Sequence, residues 1–136
     1  MTRINRNNIE REAIVGIGVD SIEIERIKKA CKDPHFVERI FTDKEREQMD
    51  ARWIRAASDY AGKEAVVKAF GTGFVGVEAN EISILRNDKG VPYVVLHKRA
   101  EQMAQKLGIS EFKISITNTR ECATAFVIAF EEEKTI

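Results

Sequence analysis

One stretch constrains the fold more than any other. Residues 51–70, ARWIRAASDYAGKEAVVKAF, read as a single long helix that stops at Gly71-Thr72-Gly73. Tyr60, Val67 and Phe70 share one of its faces, and Ala61, Ala65 and Ala69 share another. The elements around it are short. AIVGIGVD (13–20) is an apolar run ending at an acid, which predicts a buried strand. Ser21 is placed to cap the helix that follows, where Ile24, Ile27 and Cys31 recur at helical spacing up to Asp33-Pro34. A short helix covers Phe36 to Ile40, and Thr42-Asp-Lys-Glu45 carries the signature of a capping box. Beyond the long helix, EISILRN (81–87) and VPYVVL (91–96) alternate as a hairpin around Asp88-Lys89-Gly90. HKRAEQMAQKLG (97–108) is a helix with a glycine stop. FKISITN (112–118) and CATAFVIAF (122–130) form a second hairpin. The order β-α-α-α-β-β-α-β-β predicts an α+β domain: an antiparallel sheet packed against one long helix and shorter ones. Residues 1–12 are polar and aperiodic and read as an extension, leaving one domain over 13–136.

Composition removes several function classes. Lys plus Arg and Asp plus Glu each total 22, which argues against a nonspecific nucleic-acid binder. Cys31 and Cys122 stand far apart without metal-ligand spacing and read as reduced thiols of a cytosolic protein. Two histidines, His35 and His97, are too few for a zinc site. No apolar run approaches the ~20 residues of a membrane span, and MTRINRNNIEREA lacks the apolar centre of a signal peptide. These features predict a cytoplasmic protein with no membrane and no nucleic-acid partner.

The chemistry-bearing residues cluster in two places. Asp20 ends the first strand, after Gly16 and Gly18, which let another chain or a ligand come close. It is either a helix cap or a rigidly held carboxylate facing a cation. On the long helix, Glu64 either pairs with Lys68 at i, i+4 as surface decoration or works with Asp20. Two hard carboxylates without a thiolate or imidazole cluster suit Mg²⁺ beside substrate phosphates, and Lys63 and Lys68 could complement those phosphates. GTGFVG lacks the ending of a Walker loop.

IVGIGVDSIEIERI (14–27) followed by KEAVVKAFGTG (63–73) resembles the small bacterial holo-[acyl-carrier-protein] synthases, the single-domain phosphopantetheinyl transferases. ERIFTDKE (38–45), DKGVPY (88–93) and ISIT…CATAFVIAFE (114–131) match in the same order, so the resemblance spans roughly residues 13 to 131. It implies the phosphopantetheinyl transferase fold and transfer of the 4′-phosphopantetheine arm of coenzyme A to a serine of apo acyl carrier protein, with Mg²⁺. It also implies Asp20 and Glu64 as metal ligands and Lys63 and Lys68 beside the cofactor phosphates, Lys68 also assisting the leaving group. Gly71, Gly90, Pro92 and Asn118 complete the expected coenzyme A contacts, and Glu64 or a water on the metal is the expected base. Arg26, with Phe36 and Arg39, would meet the acidic recognition helix of the carrier protein, whereas Lys28 and Lys29 read as solvated surface. Relatives of this kind usually form homotrimers with active sites between subunits.

Two departures stand out. Many relatives have Arg-Phe where this chain has Asp59-Tyr60, and an acid near a polyphosphate should weaken that contact. Many have a histidine where this chain has Asn118, which carries no titratable proton. They leave open a homologue that binds coenzyme A or the carrier but no longer turns over.

Overall fold

The computed structural model describes residues 12–50, 52–71 and 76–132. The expected extension over 1–12 lies outside them except for Glu12, as do Ala51 at the head of the long helix and Thr72-Gly73 after it. The elements run β1 (Glu12–Glu23), α1 (Ile24–Ala30), α2 (Pro34–Ile40), α3 (Asp43–Met49), α4 (Trp53–Phe70), β2 (Ile82–Arg86), β3 (Pro92–Leu96), α5 (Lys98–Leu107), β4 (Glu111–Asn118) and β5 (Cys122–Glu132). Among the described residues four α-helices and a 3-10 turn (Ala79–Glu81) precede β2; the helix announced by the Thr42 capping box is the one that the expected order does not count. Pro34 occupies the first turn of α2 and the Asp33 carboxylate accepts from the His35 amide, so the expected stop is also a start. Thr42 and Glu45 form the expected capping box of α3.

All pairing is antiparallel, as expected, but in two sheets: β1-β5-β4 and β2-β3. The first strand is longer than expected. It pairs with β5 from Glu12 opposite Glu132 to Glu23 opposite Cys122. Ser21 therefore caps nothing; its hydroxyl bonds Thr124 Oγ1 across the sheet at 2.8 Å, and Glu23 precedes α1 without a side-chain cap. A partner a hundred residues away overrides the local capping signal.

Helix α4 is the centre of the molecule, buried at twelve of its eighteen residues and about 27 Å long at 1.5 Å per residue. It packs with Val66, Val67 and Phe70 against Ile82, Ile84 and Val127, while Ala56 and Ala57 close a second cluster with Ile27, Phe41 and Met49. Gly16 and Gly18 explain how β1 reaches it. A Cβ at Gly16 would sit 1.9 Å from the Ala69 carbonyl oxygen, and one at Gly18 1.8 Å from that of Ala65. The strand lies directly on the helix backbone, so the close approach expected at these glycines is that of α4. The other face of β1 points outward, leaving Ile17 59% and Val19 53% exposed beside Phe126 at 43%. No helix among the described residues is long and apolar enough to cross a membrane.

Candidate active site

The contact of β1 with α4 brings the two acids of the sequence reading together. Asp20 follows Gly18 by two residues, and Lys68 lies one turn beyond Glu64 on the helix. Lys68 Nζ donates to Asp20 Oδ1 at 3.1 Å and to the Val19 carbonyl at 2.9 Å. The Glu64–Lys68 surface pair, one of the two readings of Glu64, does not form within 4.0 Å among the described residues; Lys68 bridges to the strand instead. Burial pushes the Glu64 carboxyl above its usual range, and the charge of Asp20 pushes it further, against a hydrogen bond from the Tyr60 hydroxyl and the attraction of Lys68. Burial and Glu64 likewise raise the Tyr60 phenol, which also feels Arg26 and Asp20. Asp20, Glu64, Lys68 and Tyr60 thus form one cluster, with Arg26 of α1 at its rim.

Lys63 does not join it. The expectation of a phosphate-facing ammonium is corrected by its environment: Lys63 is 1% exposed, and its Nζ pairs with Glu45 Oε1 at 2.5 Å. It also donates to the carbonyls of Ala79, at 2.9 Å, and Ile82. Burial lowers its pKa, and the Glu45 carboxylate opposes that shift. Glu45 in turn accepts from the Ile84 amide at 3.0 Å. An ammonium with these partners is a fixture of the core.

Phe36 stacks on Tyr60 with centroids 6.3 Å apart and meets Phe41 edge-on, so it shares its apolar surface with the fold. Arg39 borders a cavity of about 270 Å³ that also reaches Tyr60, Glu64 and Glu78. Lys28 and Lys29 are exposed in the last turn of α1, as expected of solvated side chains. Gly71 caps α4 in the left-handed conformation, φ 79°.

Gly90, Pro92 and Asn118 are gathered elsewhere, on a second cavity of about 610 Å³ at the N-terminal end of α4. Its walls also carry Arg52, Trp53, Arg55, Ser58 and Arg86, and none of Asp20, Glu64 and Lys68. Residues 55 and 64 are ~14 Å apart along the helix axis. Asn118 Oδ1 accepts from Ser58 Oγ at 3.0 Å. The three arginines escaped the sequence reading: Arg52 and Arg55 precede the conspicuous part of the helix, and Arg86 sits in a strand. Only folding sets them around one hollow.

Asp59 does not face that hollow, which corrects the expected repulsion of a polyphosphate. It is 1% exposed and its Oδ1 accepts from Arg86 Nη1 at 2.8 Å. Burial raises its pKa to about 7 from the ordinary 3.8, against the pull of Arg86 and Lys63 and with a push from Glu45. Between those values the folded chain holds a proton that the unfolded chain has released, so stability falls as pH rises through the window and levels off above it. From pH 5 to pH 8 the wild-type chain is expected to lose on the order of 3 kcal/mol relative to Asp59→Asn, at ~1.4 kcal/mol per unit. Urea unfolding of both chains at the two pH values measures it; a constant difference would contradict the buried carboxyl.

A family model for the 4′-phosphopantetheinyl transferase superfamily matches residues 16–127. The chain belongs to that superfamily. Among its curated relatives is the holo-[acyl-carrier-protein] synthase of Lachnoclostridium phytofermentans, 46% identical over 115 residues that cover 85% of this chain and 94% of the relative. That of Caldanaerobacter subterraneus subsp. tengcongensis is 44% identical over 117 residues, covering 83% and 92%. Solved structures agree. The holo-[acyl-carrier-protein] synthase of Neisseria meningitidis superposes with a TM-score of 0.80 at 30% identity, covering 86% of this chain and 98% of the other. The Bacillus anthracis synthase, solved in complex with CoA (3′,5′-ADP), gives 0.73 at 31% identity, covering 87% and 97%.

Proposed function

We infer that this chain is a holo-[acyl-carrier-protein] synthase, transferring the 4′-phosphopantetheine arm of coenzyme A to a serine hydroxyl of apo acyl carrier protein. The observation that carries the reading is the carboxylate pair Asp20 and Glu64, held together by the glycine-mediated seating of β1 on α4, in a chain of this superfamily. In the reaction the serine oxygen forms a bond to the phosphorus that bears the pantetheine arm. The bond from that phosphorus to the bridging oxygen breaks, and adenosine 3′,5′-bisphosphate leaves with the electron pair.

The donor set fits Mg²⁺. Burial and the nearby charge of Asp20 raise the pKa of Glu64, and Lys68, which pairs with Asp20, only partly opposes them. No group of three or more His, Cys, Asp or Glu side chains able to hold a metal occurs among the described residues, which leaves ligand positions for phosphate oxygens. When bound there, Mg²⁺ would neutralise charge on the pyrophosphate. Lys68 lies beside Asp20 and is the cation to hold the leaving phosphate. Glu64 offers an acceptor for the serine proton, and Tyr60 orients it. Arg26 and Arg39 border the same region and suit an acidic helix of the carrier protein.

On this reading the protein works in the cytoplasm as a homotrimer. The exposed apolar face of Ile17, Val19 and Phe126 is of the kind that subunit contacts cover. The separation of Gly90, Pro92 and Asn118 from Asp20 and Glu64 suits a coenzyme A molecule held between two subunits. The alternative of a binding homologue without turnover rested on Asp59 and Asn118; Asp59 is turned inward and paired, which removes half of its motive.

Intact mass spectrometry of an apo acyl carrier protein incubated with the chain, coenzyme A and Mg²⁺ tests the reading. A gain of roughly 340 Da, the mass of a phosphopantetheine arm in an activated-group transfer, that disappears with EDTA is the expected result. Binding of coenzyme A without any gain across several carriers would favour the alternative. Arg26→Glu is expected to raise the KM for the carrier about tenfold while leaving that for coenzyme A within about twofold. An unchanged carrier KM would remove Arg26 from the docking surface.

A further inference from the structure

Asp59 and Arg86 make a poor stabilising pair. Asp59 Oδ2 is buried with no hydrogen-bond partner among the described residues, a condition that folded proteins seldom leave without a purpose. Its carboxyl is driven up toward neutrality by burial even with a guanidinium 2.8 Å away, and a buried ion pair of this kind contributes little net stability. What the contact does secure is a direction. Arg86 Nη1 is held by Asp59 Oδ1 and, more loosely, by the Ile84 carbonyl at 3.4 Å. Its Nε and Nη2 make no hydrogen bond to a described residue, and the side chain forms part of the wall of the cavity at the N-terminal end of α4.

That cavity has a definite chemical character. Arg52, Arg55 and Arg86 line it, no acidic side chain does so among the described residues, and the Trp53 indole and Asn118 amide complete the wall. Guanidiniums bind phosphate oxygens with paired donors. An indole offers a flat face to a base. Phosphorylated aromatic heterocycles are the ligands this wall suits, and the volume of about 610 Å³ falls in the range of small-molecule sites.

We propose that Arg86, with Arg55 and Arg52, binds a phosphate group of the nucleotide half of the substrate, and that Asp59 is the positioning residue that holds Arg86 toward the cavity. The identity of the nucleotide as coenzyme A rests on the functional reading above. Asp59 touches no ligand itself. It acts through Arg86, as carboxylates behind a binding residue commonly do.

The experiment is calorimetric binding of adenosine 3′,5′-bisphosphate to the full chain at pH 8, with transfer to the carrier protein assayed in parallel. Arg86→Gln is expected to weaken binding about tenfold or more, and Arg55→Gln severalfold. Asp59→Ala, which removes the holding oxygen, is expected to weaken binding severalfold, whereas Asp59→Asn, which keeps an oxygen at that position, should bind at least as tightly as the wild type. The double variant Asp59→Ala/Arg86→Gln should be no weaker than Arg86→Gln alone. Additive losses, or an Asp59→Ala chain that melts earlier but binds normally, would overturn the positioning role.

Should Asp59→Ala not fold, Arg86→Lys carries the test, because it keeps the charge and loses the fork; binding equal to wild type would overturn the proposal. Intact transfer with unaltered binding in every variant would remove Arg86 and Asp59 and leave the transferase reading standing. Binding that Arg86→Gln weakens, in a wild-type chain that transfers nothing, would do the reverse. A wild-type chain that neither transfers nor binds the bisphosphate would overturn both.

Discussion

Glu64→Gln is expected to lower the rate of carrier modification on the order of 10³-fold, the scale of a lost acid–base or charge-stabilising group at a reacting centre. The fold should survive the change. Glu64 is half-buried and its hydrogen-bond partner is the Tyr60 hydroxyl, which a glutamine oxygen accepts equally well. The loss should therefore appear in turnover and in the Mg²⁺ concentration needed for half-maximal rate, with a melting temperature within a few degrees of wild type. Intact-mass kinetics over a Mg²⁺ titration measure all of it. A variant that transfers within tenfold of the wild-type rate would take Glu64 out of the chemistry and leave Asp20 and Lys68 as an ordinary strand-to-helix bridge.

The second large effect concerns its neighbour. Lys63→Met should destabilise the chain by ~3–5 kcal/mol, because Glu45 would keep a buried negative charge after losing its ammonium partner. Adding Glu45→Gln should recover part of that loss, since the amide carries no charge to strand; the two changes are coupled and not additive. Urea unfolding of the wild-type, single and double variants gives both values. A loss under ~1 kcal/mol for Lys63→Met would mean that water reaches Glu45 and that the pair is not the interior fixture its burial indicates.

The two lysines of α4, five residues apart, thus have opposite fates, and the sequence alone separates them poorly. Helical spacing identifies which side chains share a face, but α4 is buried on nearly every side, so it has no polar stripe on which to sort its charges. Lys63 is drawn inward by Glu45 and two carbonyls contributed by other segments. Lys68 is drawn to Asp20 on β1. Neither partner is visible at i±4.

Features written in adjacent residues were legible: the Thr42 capping box, glycine stops after α4 and α5, and both hairpins. Features requiring a distant partner were not. The full length of β1, the Ser21–Thr124 bond, the inward turn of Asp59 and the gathering of Arg86 with the arginines of α4 all depend on contacts 27 or more residues apart. The carboxylate pair is the instructive exception. Its members lie 44 positions apart, and they could be joined because the two glycines before Asp20 and the alanine-rich stretch around Glu64 each announce a close approach, while the family resemblance says to what.

The order of the strands has a bearing on how this protein comes into being. Among the described residues β5 is the last strand made and the middle strand of its sheet, and β1, which carries Asp20, pairs with it alone. A growing chain must therefore carry β1 without its partner through nearly the whole of synthesis, with Ile17 and Val19 open to other nascent segments. Pairing across such a separation closes a long loop late, which slows folding. Asp20 is fixed in its sheet only after residues 122–132 have emerged. A truncated product ending before them would keep both Asp20 and Glu64 and lose the strand that fixes β1 in its sheet, leaving only its seating on α4.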